Sequence, residues 1–480
     1  MKSIASVLSI IALGVGLLSC SGSGVSGSGV SGSGGSGMSG SGTVVYLADQ
    51  DNIGVFELYL ATSGTKLNPP LGLGRTVTRF ALTPDASAVI YIADQDQDNV
   101  FELYRVILAT PGVSTKLNPV FVFGQNVVEF AVTPDNSAVV YLADQTIHDT
   151  FELYRTVLAG GVNSKLNPLY VPGQDVETFV VLPNSTGVIY RADQNTDGVS
   201  ELYRVLFATA PLINDRLVLP PLVFTQNVGA FAVTPDSANV VYIANQPLVS
   251  KNQLFIVPAG GGGRNVLNGV LVANGNVKDF AVTPDGLSVV YRADQEIDEV
   301  FELYRTVIVV GPTSNKKLNP DLVPGRNVTF FGVIPDSSGV VYIADQTTDS
   351  VFELFQTLFP GVNSQLNPPL IAPKNVVDFV LFPDSRGVVY RADQNTDGVK
   401  EIYQVEFGIP GSVRLNPALV IGQNVSTYAV APDSSSAIYR ANQDIPAIEL
   451  YRTSFSSPGS STKLNSPLVA GEDVANFAVR

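Results

Sequence analysis

The chain has 480 residues, 45% of them hydrophobic, with 43 Gly, 31 Pro and 18 Tyr, a profile of turn-rich β structure rather than of helical bundles. Asp and Glu outnumber Lys and Arg by 43 to 28, and the resulting net charge of −15 repels phosphate backbones, which argues against nucleic acid as a partner. One His (His148), one Cys (Cys20) and no Trp exclude a Cys/His zinc cluster, and a Ser-His-Asp triad would rest on His148, which reads as a solvated histidine in the irregular "DQTIHDTFELY" loop.

In chain order, Lys2 and the apolar run Ile4 to Leu18 predict a signal peptide over residues 1–19, because a spanning helix needs about 20 apolar residues. "LLSC", Leu17 to Cys20, resembles the bacterial lipobox, which implies cleavage before Cys20 and its lipidation; an ordinary secretory peptide with a stray Cys is the alternative. Ser21 stands where an aspartate would signal inner-membrane retention. By that rule the resemblance implies the outer membrane of a bacterial cell envelope, with periplasmic and surface exposure both open. Residues 20–42 are then the lipidated Cys and a Gly/Ser tether with an r.m.s. span of about 25 Å. Its GxGxxG matches, such as Gly22, Gly24 and Gly27, have no strand before and no helix after, so they read as tether and not as a phosphate cradle.

Residues 43–480 are self-similar. "YxADQ" or "YxANQ" starts at Tyr46, Tyr91, Tyr141, Tyr190, Tyr242, Tyr291, Tyr342, Tyr390 and Tyr439, followed each time by an "ELYR"-like, a "KLNP"-like and an "NVxxFAVTPD"-like segment. Each unit reads as four short strands, with Pro-Asp setting the turn between "FAVT" and "VVYLA", and no stretch holds a helical period. The prediction is all-β: a single β-propeller of four-stranded blades, nine in number. A ring of eight with one irregular repeat, or two smaller rings, is the alternative, and the fifth unit, "KNQLFIVPAGGGGRNV", is the expected misfit. The first unit lacks its "FAVTPD" strand and the chain ends in "DVANFAVR", so the C-terminal strand is expected to complete the N-terminal blade.

"FAVTPDNSAVVY", Phe130 to Tyr141, resembles the PD40 (WD40-like) repeat found in the propeller of TolB and in many bacterial envelope proteins. The resemblance covers the repeats and implies the fold; the α/β domain that TolB-like proteins carry before a smaller propeller has no counterpart between the tether and the first repeat.

The loop "YRADQNTDGVSELYR", Tyr190 to Arg204, returns nearly unchanged from Tyr390. It sets Asp193, Asn195, Asp197 and Glu201 at positions 1, 3, 5 and 9 around Gly198, and is similar to the nine-residue calcium hairpins of integrin-type propellers. Asp94, Asp96, Asp98 and Glu102, then Asp393, Asn395, Asp397 and Glu401, then Asp294, Glu296, Asp298 and Glu302 repeat the pattern; Asp345, Asp349 and Glu353 keep it with Thr347 at position 3. The other units lose it, with Ile53 or His148 at position 5, or Asn245 and Gln253 at the ends. Were the hairpin symmetric about Asp197, Asp193 would face Glu201, a repulsion that a Ca²⁺ ion would relieve. The competing expectation is a set of polar turn residues that are solvated or paired with Arg191 or Arg204.

The expected function is an envelope-anchored binding or scaffolding lipoprotein, monomeric, held to the membrane by lipid and presenting loops to a protein or glycan partner. Its variable loops are "ATPGVSTK", "FATAPLINDR" and "VVGPTSNKK". A TolB-like component of an envelope complex and a carboxylate-based carbohydrate-active enzyme are the alternatives; the acids recur unit by unit, as structural residues do, and no catalytic residue is assigned.

Overall fold

The computed structural model describes residues 42–480, apart from 172, 209–211, 247–250, 310–313 and 445–446. The expected signal peptide, Cys20 and all of the expected tether but Gly42 lie outside the described residues. Thirty-six strands are described, from β1 (Val44–Ala48) to β36 (Val474–Val479), and they form nine four-stranded antiparallel sheets, the blades of a β-propeller. Within a blade the strands lie side by side in chain order, except in the first, where β36 pairs with β1. There Val44 stands opposite Val479 and Tyr46 opposite Phe477, so the C-terminal strand closes the ring.

The expected misfit is absent. The fifth unit makes a full blade from β16 (Val228–Val233), β17 (Asn239–Ala244), β18 (Gln253–Pro258) and β19 (Asn265–Val266). Its Gly-rich segment falls in the loop between the third and fourth strands, where length is free to vary.

The second strand of each blade is buried because neighbouring blades cover both of its faces. In Ala138–Ala143 all six residues are buried, which explains an unbroken apolar run where a half-exposed strand would alternate. Val140, Leu142 and Leu153 of the third blade pack with Val188 and Tyr190 of the fourth, so the core is a succession of inter-blade layers. Burying each such side chain contributes about 1.5–3 kcal/mol. Within each blade the tyrosine of "YxADQ" stands directly opposite the aromatic of "ELYR"; Tyr91 and Tyr104 stack with centroids 5.4 Å apart.

Polar stitches align these layers. Asn126, which opens the third blade, accepts the Phe101 N–H of the second blade on Oδ1 at 2.9 Å, while the Phe101 carbonyl accepts Val127 N–H at 2.8 Å. The ring closure repeats the stitch: Asp473 Oδ1 accepts Ile448 N–H at 2.5 Å and the Ile448 carbonyl accepts Val474 N–H at 2.8 Å. At the other end of the strands the Pro-Asp turn forms as expected, with Asn136 N–H donating to the Thr133 carbonyl at 2.8 Å across Pro134 and Asp135. Asp135 N–H also donates to Ser185 Oγ of the next blade at 3.0 Å, a latch held by a serine at φ 59°.

The alternation of strand direction gives the propeller two unlike faces. One carries the Pro-Asp turns and the variable loops between third and fourth strands. The other carries the "DQ" hairpins between second and third strands and the "KLNPxLVPG" connections to the next blade. First strands of successive blades meet around the axis, with the Phe330 and Phe379 rings 5.1 Å apart. Thr43 lies at the turn face, bonded to Arg480.

Candidate functional site

The hairpin face holds the expected cation loops, and the structure divides their four positions. In the fourth blade Glu201 stands opposite Ala192 and not opposite Asp193, so the hairpin is not symmetric about Asp197 and the expected repulsion does not arise. The same offset holds in the second, sixth, seventh and eighth blades, where Glu102, Glu302, Glu353 and Glu401 face Ala93, Ala293, Ala344 and Ala392. Because successive side chains alternate between faces, positions 1 and 9 project to opposite sides of the sheet.

The position 1 aspartate serves the backbone. Asp94 Oδ1 accepts Thr76 N–H at 2.7 Å and Oδ2 accepts Asn99 N–H at 3.2 Å. Asp193, Asp294, Asp345 and Asp393 each accept the same pair of amides, one from the start of the first strand and one from position 6 of the hairpin. Burial raises the Asp193 carboxyl above its ordinary range, against the pull of these two N–H donors. Position 6 has a left-handed backbone: Gly198 and Gly398 take it freely, while Asn99, Glu299 and Ser350 occupy it at φ 58°, 63° and 60°.

Positions 3 and 9 do converge, around a cation supplied by the chain itself. Lys116, from the "KLNP" strand, places Nζ 2.8 Å from Asp96 and 2.7 Å from Glu102. Glu102, 2% exposed, also accepts Tyr104 Oη–H at 3.0 Å and Phe121 N–H at 3.1 Å. Lys317 likewise joins Glu296 and Glu302, and Lys66 and Lys463 join Asp51 with Glu57 and Asp444 with Glu449. In the fourth and eighth blades the base is arginine, Arg216 on Glu201 and Arg414 on Glu401, and position 3 is Asn195 or Asn395. The seventh blade pairs Glu353 with Gln365, and the fifth has Gln253, Phe255 and Val266 in place of the Glu, Tyr and Lys. Burial works against the Lys116 ammonium, yet its hydrogen bonds to Asp96 and Glu102 raise its pKa above the ordinary lysine value. Burial and then the neighbouring Glu102 raise the Tyr104 hydroxyl, keeping it a donor.

Position 5 is left to solvent. Asp98, Asp197, Asp298, Asp349 and Asp397 are all exposed at the hairpin tips. Among the described residues, the group of three His, Cys, Asp or Glu side chains whose ligand atoms lie within 4.8 Å of one another is Asp144, His148 and Asp149, in the third blade. That blade departs from the calcium spacing at His148, whose Nδ1 lies 3.2 Å from Asp149.

Second strands carry arginines whose contacts sequence reasoning did not anticipate, Arg191 having been expected to pair with the hairpin acids. Arg191, Arg292 and Arg391, at the x of "YxADQ", pair with Glu177, Asp279 and Asp378 of their own first strands and donate to the Gly229, Thr329 and Ser426 carbonyls of the next blade. The signal was present as Arg alternating with Ile or Leu at one motif position, with an acid 13 or 14 residues upstream. Asp378 also accepts Tyr428 Oη–H at 2.9 Å from the following blade. Glu129 has Leu142 where these blades have arginine, and burial raises its carboxyl above the usual range, with only Arg79 opposing. Between the fifth and sixth blades a cavity of about 370 Å³ is lined by Gly229, Ala230, Ile243, Asn252 and Lys278, whose ammonium lies 4.8 Å from the Phe301 ring centre.

No family model matches the chain, and no curated protein matches it. Among solved structures it superposes on a eukaryotic initiation factor at TM-score 0.59 and 12% identity, covering 90% of this chain and 98% of that one. Dipeptidyl peptidase 4 from Porphyromonas gingivalis follows at TM-score 0.56 and 10% identity, over 82% of this chain and 60% of that one. TolB from Acinetobacter baumannii overlaps at TM-score 0.32 and 16% identity, over 55% of this chain and 61% of that one, too loosely to carry a functional parallel. The first two likenesses show the fold, a β-propeller, and fold alone does not define what the chain does.

Proposed function

We propose that the chain is an envelope-anchored binding or scaffolding module, not an enzyme, that takes its partner on the hairpin face. The observation that carries this reading is the set of large apolar side chains exposed on that face in blade after blade, among them Leu73 at 84%, Phe224 at 77% and Ile421 at 84% exposure. Soluble monomers rarely leave such groups clustered unless something covers them. Photo-reactive amino acids introduced at Leu73, Phe224 and Ile421, and at Val113 and Val162 on the turn face, test it in cells that make the protein. A recurrent adduct from the hairpin-face positions is expected; none from either face would remove the binding role.

Lipidation at Cys20 and the outer membrane belong to the same proposal. Cys20→Ser is expected to move the protein from the detergent phase to the aqueous phase in cloud-point partition, and an unchanged distribution would contradict the anchor. A divalent ion is a further part of it, with Asp144, His148 and Asp149 the geometric candidate and calcium at the hairpin tips the expectation from spacing. Melting in chelator and in added CaCl₂ or MnCl₂ separates these, since an ion that binds only the folded state raises the midpoint by mass action.

A further inference from the structure

On the hairpin face acid and apolar groups alternate at short range. Gly74 and Gly173, in the connections between blades, lie so close to the hairpin tips that a Cβ would sit 3.8 Å from Asp98 Oδ1 and 3.5 Å from Asp197 Oδ2. Leu73 precedes the first of these glycines, and Phe123 precedes Gly124, which lies against His148 in the same way. The second and third hairpin tips thus stand beside connections that expose Leu73 and Phe123. Asp98, Asp197 and Asp397 make no ion pair or hydrogen bond among the described residues, in contrast to positions 1, 3 and 9 of the same loops. Lys116, the lysine nearest Asp98 in sequence, is already spent on Glu102, while the exposed Lys400 stands three residues beyond Asp397.

We infer that this face docks a basic protein segment that carries apolar side chains, its lysines or arginines meeting the tip aspartates and its apolar groups packing on the connections. The inference rests on the binding role proposed above and names the chemistry of its partner. Charge complementarity selects this occupant: the tip aspartates repel an anionic lipid surface and attract lysine or arginine. A protein segment satisfies both components of the surface at once, with apolar contacts supplying affinity and charge supplying orientation and on-rate.

The test uses the full chain in detergent with chelator present, and three synthetic peptides that alternate Lys with Leu, Lys with Ser, and Glu with Leu, read by fluorescence anisotropy. The Lys/Leu peptide is expected to bind, more weakly as salt rises. Its affinity should fall about tenfold in the variant Asp98→Asn, Asp197→Asn, Asp397→Asn and again in Leu73→Ser, Phe224→Ser, Ile421→Ser. It should hold in the opposite-face control Val113→Ser, Val162→Ser, Ile409→Ser. Equal binding of the Lys/Ser or Glu/Leu peptide, or of phosphatidylglycerol vesicles, overturns the inference, as does insensitivity to both hairpin-face variants. Cross-links confined to the turn face would keep the binding module and overturn this inference; cross-links from neither face would remove both.

Discussion

The second and fifth blades solve one packing problem in two ways. In the second, Glu102, Tyr104 and Lys116 form a buried charged group; in the fifth, Gln253, Phe255 and Val266 stand at the same register positions. Both blades stack an aromatic pair at 5.4 Å and both keep the Asn stitch that caps the third strand. The charged group is therefore not what sets the register. The seventh blade is intermediate: it keeps the buried Glu353 but replaces the base by Gln365 and the tyrosine by Phe355, so a neutral donor can stand in for the cation, whereas a carboxylate with no donor in that pocket is costly.

The largest expected effect comes from breaking the unit in the second blade. Lys116→Met leaves Glu102 buried beside Tyr104 with no cation and should cost about 3–5 kcal/mol, read as a lowered midpoint in urea unfolding. Next, Gln253→Glu in the fifth blade introduces a carboxylate without a base and should cost about 1–3 kcal/mol, recovered when Val266→Lys is added.

A smaller effect, of opposite sign, is expected at Glu129. Its folded pKa lies above the unfolded value, so the ionised form opposes folding at neutral pH and the penalty disappears as pH falls below the unfolded pKa. Glu129→Gln should raise the melting midpoint slightly at pH near 7 and change little at pH near 4. The smallest is Glu299→Asn, which gives the sixth hairpin the residue that the second uses at the same left-handed position and should gain a few tenths of a kcal/mol, at about the limit of a careful melt.

Much of this was legible in the sequence. The repeat fixes the blade, the missing strand at Tyr46 and the surplus strand after Asp473 fix the closure, and Pro134-Asp135 fixes the turn. The hairpin register was open in the sequence, since the spacing of Asp193 and Glu201 allows a turn symmetric about Asp197; the left-handed residue at position 6, held by the aspartate itself, shifts the pairing by one residue. Side chains that spacing aims at one ion then fall on two faces of the sheet. The lysine that fills the convergence of positions 3 and 9 lies 14 residues beyond Glu102, across a loop of variable length. Comparison among units would have found it, because arginine accompanies Asn195 and Asn395 at position 3, and the base is lost where Glu becomes Gln253. The Arg191, Arg292 and Arg391 bridges were harder to see, since each reaches into the following blade and no local pattern encodes that neighbour.

The most direct test of the built-in cation compares Lys116→Met with the triple variant Glu102→Gln, Tyr104→Phe, Lys116→Val, which copies the fifth blade into the second. The account predicts that the triple variant unfolds at a midpoint close to that of the parent chain while the single variant falls well below it. A triple variant as unstable as the single one, or a single variant with no loss, would contradict the claim that Lys116 is the cation these hairpins are built around.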